Sequence, residues 1–311
     1  MNKLMFKSQC ILVLLLANFT ITQSQDKDRA LSIYFETVRK YKDQPIPQHI
    51  FYAGNIKNTL LEVMLYLEDT SVVVRSKAYG VVRTVGVSGL NVSTRGEATS
   101  KLVMGIRDKD SGNVGLVLDY LTDFSSSDFS QVAKDTLVVI FKRRSAHYER
   151  LIRLIGYVQL TQLRDDLRAL SQSPTEPKSN RWAALLALAR MGDSYAIESI
   201  MSRVPRLPVN DDVVYQIFPD LVYTRQRPAF DLLLKALNSD EKNCESANAE
   251  SAAKIPCAYR VMEMLAPAVA SYPLKLDDTG DIDAKNYPEA LQLVRDWFKA
   301  NKDYTIITDK Y

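Results

Sequence analysis

The stretch NRWAALLALARMGDSYAIESIMSRV, residues 180–204, constrains this chain more than any other. Trp182, Leu185, Leu186 and Ala189 recur at spacings of three and four, one face of a helix of 3.6 residues per turn. Ala183, Ala184 and Ala187 put small side chains beside that face, so a partner helix can approach closely. Gly192 can take the left-handed conformation that ends a helix, and Asp193 can cap the next one. Ala196, Ile197, Ile200, Met201 and Val204 form a second apolar face, and Pro205 and Pro208 discourage its continuation. The expected unit is helix, tight turn, helix. Alone it leaves much of its apolar surface wet, so it requires packed neighbours.

A second copy of the pattern stands 106 residues upstream, where VRSKAYGVVRTVG (Val74–Gly86) places Arg75 on Arg181, Ala78 on Ala184 and Gly86 on Gly192. That displacement is close to three periods of about 35, the range of helical solenoids. The preceding residues extend the copy to Leu67, Asp69, Val74-Arg75, Ala78, Val82 and Gly86. The order resembles the HEAT-repeat pattern, including its bacterial variants. The resemblance implies that Asp69 sits between helices and that Arg75 opens the next one, together holding successive units in register. It extends that role to Arg181, which lacks an equally placed Asp.

The remaining chain divides similarly. Gly112–Phe124 with Phe129–Arg144, Tyr148–Leu160 with the residues after it, and Asp211–Tyr223 with Arg227–Asn238 are further expected pairs. Asp211 is expected to cap its helix, and Pro228 suits a first helical turn. Strand signals are nearly absent. The expected fold is all-α: a right-handed solenoid of about six irregular HEAT-like pairs with terminal caps.

Four segments are expected. Residues 1–24 read as a signal peptide: Lys3 and Lys7 precede an apolar run, Ile11–Ala17, too short to span a bilayer of about 20 apolar residues. Residues 25–54 give a leading helix and a Pro-rich linker, 55–243 the solenoid, and 244–311 an insertion followed by a helical closing cap. In that cap Pro288 starts a helix whose Leu291, Val294, Trp297 and Phe298 face inward. The chain is therefore expected to be exported, periplasmic or secreted, and the short basic start and repeat style point to a bacterium. Export favours a disulfide between Cys244 and Cys257 over a redox pair or a metal site. Cys10 would leave with the signal peptide. With Lys3 and Lys7 removed, 40 basic residues become 38 against 37 acidic ones, which gives no global attraction to nucleic acid.

Catalytic constellations are hard to find. His49 and His147 are the two histidines, and neither sits in a recognisable triad or zinc spacing. The acidic loop Leu274–Ala290, with Asp277, Asp278, Asp281 and Asp283, fails the EF-hand test at its Gly and Glu positions, leaving a capping turn with calcium as the alternative. Adjacent acids such as Asp165-Asp166 and Asp211-Asp212 do not make the facing pair that glycoside hydrolysis needs. No cofactor is expected. Phe141–Arg153 concentrates Lys142, Arg143, Arg144, Arg150 and Arg153 around Tyr148, suited to an acidic protein or an anionic glycan, or simply a solvated turn. Sixteen tyrosines supply material for binding surfaces.

The expected role is an exported, non-enzymatic scaffold that binds a protein partner on a concave face, with Arg143, Arg144, Tyr148 and Arg203 as first contacts. The alternative is an all-α hydrolase or binding protein for envelope polysaccharide. The resemblance also extends to HEAT-like lyases that handle bilins.

Overall fold

The computed structural model describes residues 30–52, 56–89, 91–246, 252–277 and 279–311. The expected signal peptide, Cys10 and Asp278 lie outside them. The described chain is helical, with no strand and three isolated bridges: Cys244–Ile255, Val269–Ile306 and Leu276–Ile282. Among the described residues no helix is long and apolar enough to cross a membrane. Contacts divide the chain into two compact units between Leu121 and Thr122, inside the stretch expected to be one array.

The first unit contains α1 (30–41), α2 (His49–Tyr52), α3 (Ile56–Glu62), α4 (Met64–Leu67), α5 (Val72–Val87), α6 (Val92–Gly105) and α7 (Ser111–Leu121). Its core is α5, which packs on α3, α4, α6 and α7. Val74, Ala78, Val81, Val82 and Val85 on it are buried. Phe35 of α1 is fully buried and stacks on Tyr66 at 3.9 Å. A polar knot closes the unit. The Asp108 carboxylate accepts two hydrogen bonds from the Arg75 guanidinium, both 2.8 Å, one from Tyr79 Oη (2.9 Å) and one from Asn113 Nδ2 (3.2 Å). Burial opposes ionisation of Asp108, yet these donors and the Asp110 amide hold its carboxyl well below the usual carboxylate range.

Asp69 and Asp108 occupy matching places. Each accepts the backbone N–H two residues ahead, from Ser71 and Asp110, and each receives an arginine from an earlier helix: Arg39 of α1 to Asp69 (2.5 Å) and Arg75 of α5 to Asp108. Arg75 also donates to the carbonyl of Asp69. Asp69 and Arg75, expected to hold successive units in register together, are not ion-paired with each other: Asp69 pairs with Arg39 of α1 and Arg75 with Asp108 between α6 and α7.

The second unit contains α8 (Gln131–Arg143), α9 (Tyr148–Tyr157), α10 (Arg164–Gln172), α11 (Lys178–Arg190), α12 (Ser194–Arg203), α13 (Asp211–Gln216), α14 (Phe218–Thr224), α15 (Arg227–Leu237), α16 (Ala258–Leu265) and α17 (Tyr287–Ala300). Gly192, at φ +79°, makes the tight turn after α11, and Asp193 caps α12 by accepting from Ala196 N–H (3.0 Å). The same Asp193 receives Arg168 at 2.5 Å, as Asp69 receives Arg39. The single-faced helix expected at 180–190 is a correction: every residue from Ala183 to Arg190 is buried. α11 is a central helix, packed on α9, α10, α12 and α14. The closest approach is at Gly156, where a Cβ would lie 2.6 Å from Ala187 Cα, which explains the small side chains on α11. The expected Asp211 cap is also corrected: Asn210 accepts from Val213 N–H, and Asp211 instead accepts from Glu245 N–H. Pro219 and the break at Ile217 split the expected helix Asp211–Tyr223 into α13 and α14. Pro228 and Pro288 stand in the first turns of α15 and α17.

Cys244 and Cys257 form a disulfide, pinning the insertion to the start of α16. After α17 the chain turns back as an extended segment, 302–311, whose residues 305–307 hydrogen-bond with Ala268 and Ala270.

Candidate functional site

In the basic stretch expected around α8 and α9, Lys142, Arg143, Arg144 and Arg150 are exposed and Tyr148 is not. Tyr148 is 9% exposed and packs on Phe141, with the Arg144 guanidinium 5.5 Å from its ring centre. Arg144, in the left-handed conformation at the end of α8, is paired with Glu176 at 2.5 Å. Arg143 is exposed on the last turn of α8. Arg203 is elsewhere, and there the structure gathers something the sequence patch did not include.

Helices α10, α11 and α12 enclose a cleft of about 360 Å³, lined by Ser171, Lys178, Arg181, Trp182, Leu185, Tyr195, Ser199 and Arg203. The spacing explains the gathering. Lys178, Arg181, Trp182 and Leu185 follow one face of α11, while Tyr195, Ser199 and Arg203 stand at intervals of four on α12. Three cations thus face one volume, and among the described residues no carboxylate lines it. Like charges gathered without an acid cost free energy unless an anion enters.

The indole at the cleft wall is held from behind. Trp182 Nε1 donates to Asp220 Oδ2 (2.5 Å), and Arg153 Nη1 donates to the other oxygen of the same buried carboxylate (2.5 Å). Burial alone would depress the Arg153 guanidinium, but the Asp220 hydrogen bond raises it above its ordinary value. Trp182 is therefore a fixed wall rather than a loose side chain. Arg181, the repeat counterpart of Arg75, faces the cleft, and 106 residues beyond Asp108 stands Val214.

Behind this wall lies a second polar assembly. Tyr223 donates from Oη to the Arg153 carbonyl (2.6 Å), and its ring lies 5.8 Å from the Arg153 guanidinium and 5.2 Å from that of Arg190. Burial drives the Tyr223 phenol well above its ordinary range. Arg190, 5% exposed, and Arg225, 8% exposed, have no carboxylate partner among the described residues. Burial lowers both, Arg225 to about 10.

Other expected sites are quieter. Asp277 accepts from the backbone of Thr279 and Asp281 and from the Thr279 hydroxyl, a self-capping turn around Gly280. These hydrogen bonds lower its carboxyl. Among the described residues no group of three or more His, Cys, Asp and Glu could hold a metal ion. His49 lies in α2 and His147 precedes α9, in different units. An apolar cavity of about 200 Å³, walled by Val204, Val213, Phe218, Ala236 and Cys257, lies beside the disulfide.

No protein-family model matches the chain, and comparison with curated proteins and with solved structures returned no match.

Proposed function

We propose that the protein is an exported binding scaffold, built from HEAT-like helix pairs, that engages an acidic segment of a protein partner through the Lys178–Arg181–Arg203 cleft. The observation that carries this reading is the cleft itself: three cations, none with a carboxylate partner among the described residues, around an indole fixed by Asp220. An incoming carboxylate replaces repulsion among the three with charge-assisted hydrogen bonds, and Tyr195 and Trp182 supply rigid contact area. The HEAT-like assignment is supported by the recurring arginine-to-aspartate pairs Arg39–Asp69, Arg75–Asp108 and Arg168–Asp193. It is also supported by the succession in which α9 packs on α11, α11 on α14 and α14 on α16. Export is supported by the disulfide and by the absence, among the described residues, of a membrane-crossing helix.

A second reading is an anionic glycan, favoured by the Ser171 and Ser199 hydroxyls beside an indole and a phenol. Hydrolysis of that glycan is not supported, because the paired-acid mechanism needs carboxylates facing the scissile bond and none lines the cleft.

The test is affinity capture from an envelope extract with residues 25–311, wild type beside Arg181→Glu/Arg203→Glu. A stoichiometric partner held by the wild type and lost from the variant is the expected result. Equal recovery by both, from a variant with an unchanged circular dichroism spectrum, would sink the assignment of this cleft.

A further inference from the structure

Pro205 stands in the turn Val204–Arg206 that ends α12, and residues 207–210 then run without helix to Asn210, which caps α13. A run of this kind does not interdigitate with a neighbouring helix as a second helix would. Across from it α15 turns Leu232, Lys235 and Ala236 to one side, at spacings of three and four, and Ala258 opens α16. The two alanines are too small to fill the space. What is left is the cavity of about 200 Å³ beside the disulfide.

Its floor is hydrocarbon and sulfur. Val204, Val213, Phe218, Ala236, Cys257 and Ala258 are all buried and offer no side-chain N–H or O–H. A water held in such a place needs about two to four polar partners, so the floor favours an apolar occupant. The mouth differs. Leu207 is 41% exposed, and Lys235, Glu241 and Asn243 are exposed beside the same volume. The strap 239–243 is fixed rather than loose. Ser239 Oγ accepts from Glu241 N–H (3.2 Å), and Asn243 Nδ2 donates to the Glu241 carboxylate (3.2 Å). Arg295 donates to the carbonyls of Leu237 (2.9 Å) and Ser239 (3.0 Å), and at the far end Cys244 is bonded to Cys257. The site is thus formed before a ligand arrives, which lowers the ordering cost of binding.

We propose that this cavity binds one small, neutral aromatic molecule, which seats its ring on the floor and leaves a hydrogen-bonding group at the strap. Size sets the class: an apolar cavity of about 150 Å³ holds benzene, so this one admits a substituted ring or a fused pair of rings. Charge narrows it. Lys235 and Glu241 present one charge of each sign, so a charged ligand attracted by one is repelled by the other. A neutral donor such as an indole N–H meets the Glu241 carboxylate without that cost. The cavity shares no lining residue with the α10–α12 cleft, and neither reading rests on the other.

The test follows fluoroindole by fluorine NMR as the full chain, with its disulfide formed, is added. Saturable broadening with one site per chain, reversed by unlabelled indole, is the expected result. Ala236→Leu fills the floor from α15 and should weaken the affinity by at least about tenfold. Fluorobenzoate, a charged ring, should bind more weakly than fluoroindole by at least about the same factor. No saturable binding, an affinity unchanged in Ala236→Leu, or fluorobenzoate held as tightly as fluoroindole overturns the proposal. Should Ala236→Leu lose its circular dichroism, Leu207→Asp at the exposed lip decides: it should weaken fluoroindole by a similar factor, and unchanged binding overturns the proposal.

Discussion

Gly156→Ala tests the packing on which the cleft and the polar assembly behind it depend. At this position a Cβ would lie 2.5 Å from Tyr223 Oη, 2.6 Å from Ala187 Cα and 2.8 Å from Ala187 Cβ. Ordinary contact begins near 3.4 Å, so α9 and α11 would have to separate by most of an ångström. The backbone of α11 cannot yield locally, since every residue from Ala183 to Arg190 is packed. Overpacking of this kind costs about 1–3 kcal/mol. Moving the Tyr223 hydroxyl off the Arg153 carbonyl costs roughly 1 kcal/mol more. Against these stands the helix preference for Ala over Gly, about 1 kcal/mol. The net expectation is a loss of about 1–3 kcal/mol. At roughly 2–4 °C per kcal/mol for a domain of this size, the melting temperature falls by about 2–12 °C. Urea unfolding followed by circular dichroism measures the loss directly, and the midpoint should drop with little change in slope. A Gly156→Ala protein as stable as the wild type, or more so, would refute the close approach of α9 to α11.

Four further perturbations follow from the same structure. Asp108→Ala strands the Arg75 guanidinium and should destabilise the first unit by about 3 kcal/mol, read as a shifted urea midpoint. Because the folded Asp108 carboxyl lies below its unfolded value, its contribution is fully present above about pH 4 and fades as pH falls through the folded value. Asp108→Asn should therefore flatten the acid limb of the stability–pH curve, and an unchanged limb would remove Asp108 from that role. Reducing Cys244–Cys257, thirteen residues apart, should lower stability by up to about 3 kcal/mol, seen as a lower melting temperature in reductant. Asp193→Ala removes both the α12 cap and the Arg168 partner and should cost about 1 kcal/mol, with hydrogen exchange rising first in Tyr195–Ile197.

The helices were legible in the sequence wherever local chemistry decides them. Gly192-Asp193 marks a turn and cap in any context, and Pro228 and Pro288 mark helix starts, so these positions agree. Environment decided the rest. The apolar face drawn through Trp182 and Ala189 missed that α11 is surrounded, because alanines read equally well as filler or as core. Tyr148 among arginines resembled a binding patch, yet Phe141 seven residues earlier supplies a burial partner that only packing reveals. Asn210 displaced Asp211 as cap by one residue, a shift no propensity distinguishes. Of the cleft, Arg203 and the repeat position of Arg181 were visible, but their convergence depends on α11 and α12 lying side by side. The segment 304–311 has no helical period and gave no signal of its own.

The central claim, that the α10–α12 cleft is an anion-binding surface, is tested most directly at Trp182. Trp297→Phe leaves Trp182 as the single indole of the chain. Its fluorescence is then titrated with a heptaglutamate peptide and, in parallel, with an oligogalacturonate, at low and high salt. The account predicts a saturable change with the peptide that weakens with salt and weakens at least tenfold in Arg181→Glu/Arg203→Glu. A stronger response to the oligogalacturonate would transfer the site to the glycan reading. No saturable change with either probe, or binding indifferent to salt and to both charge reversals, would contradict it.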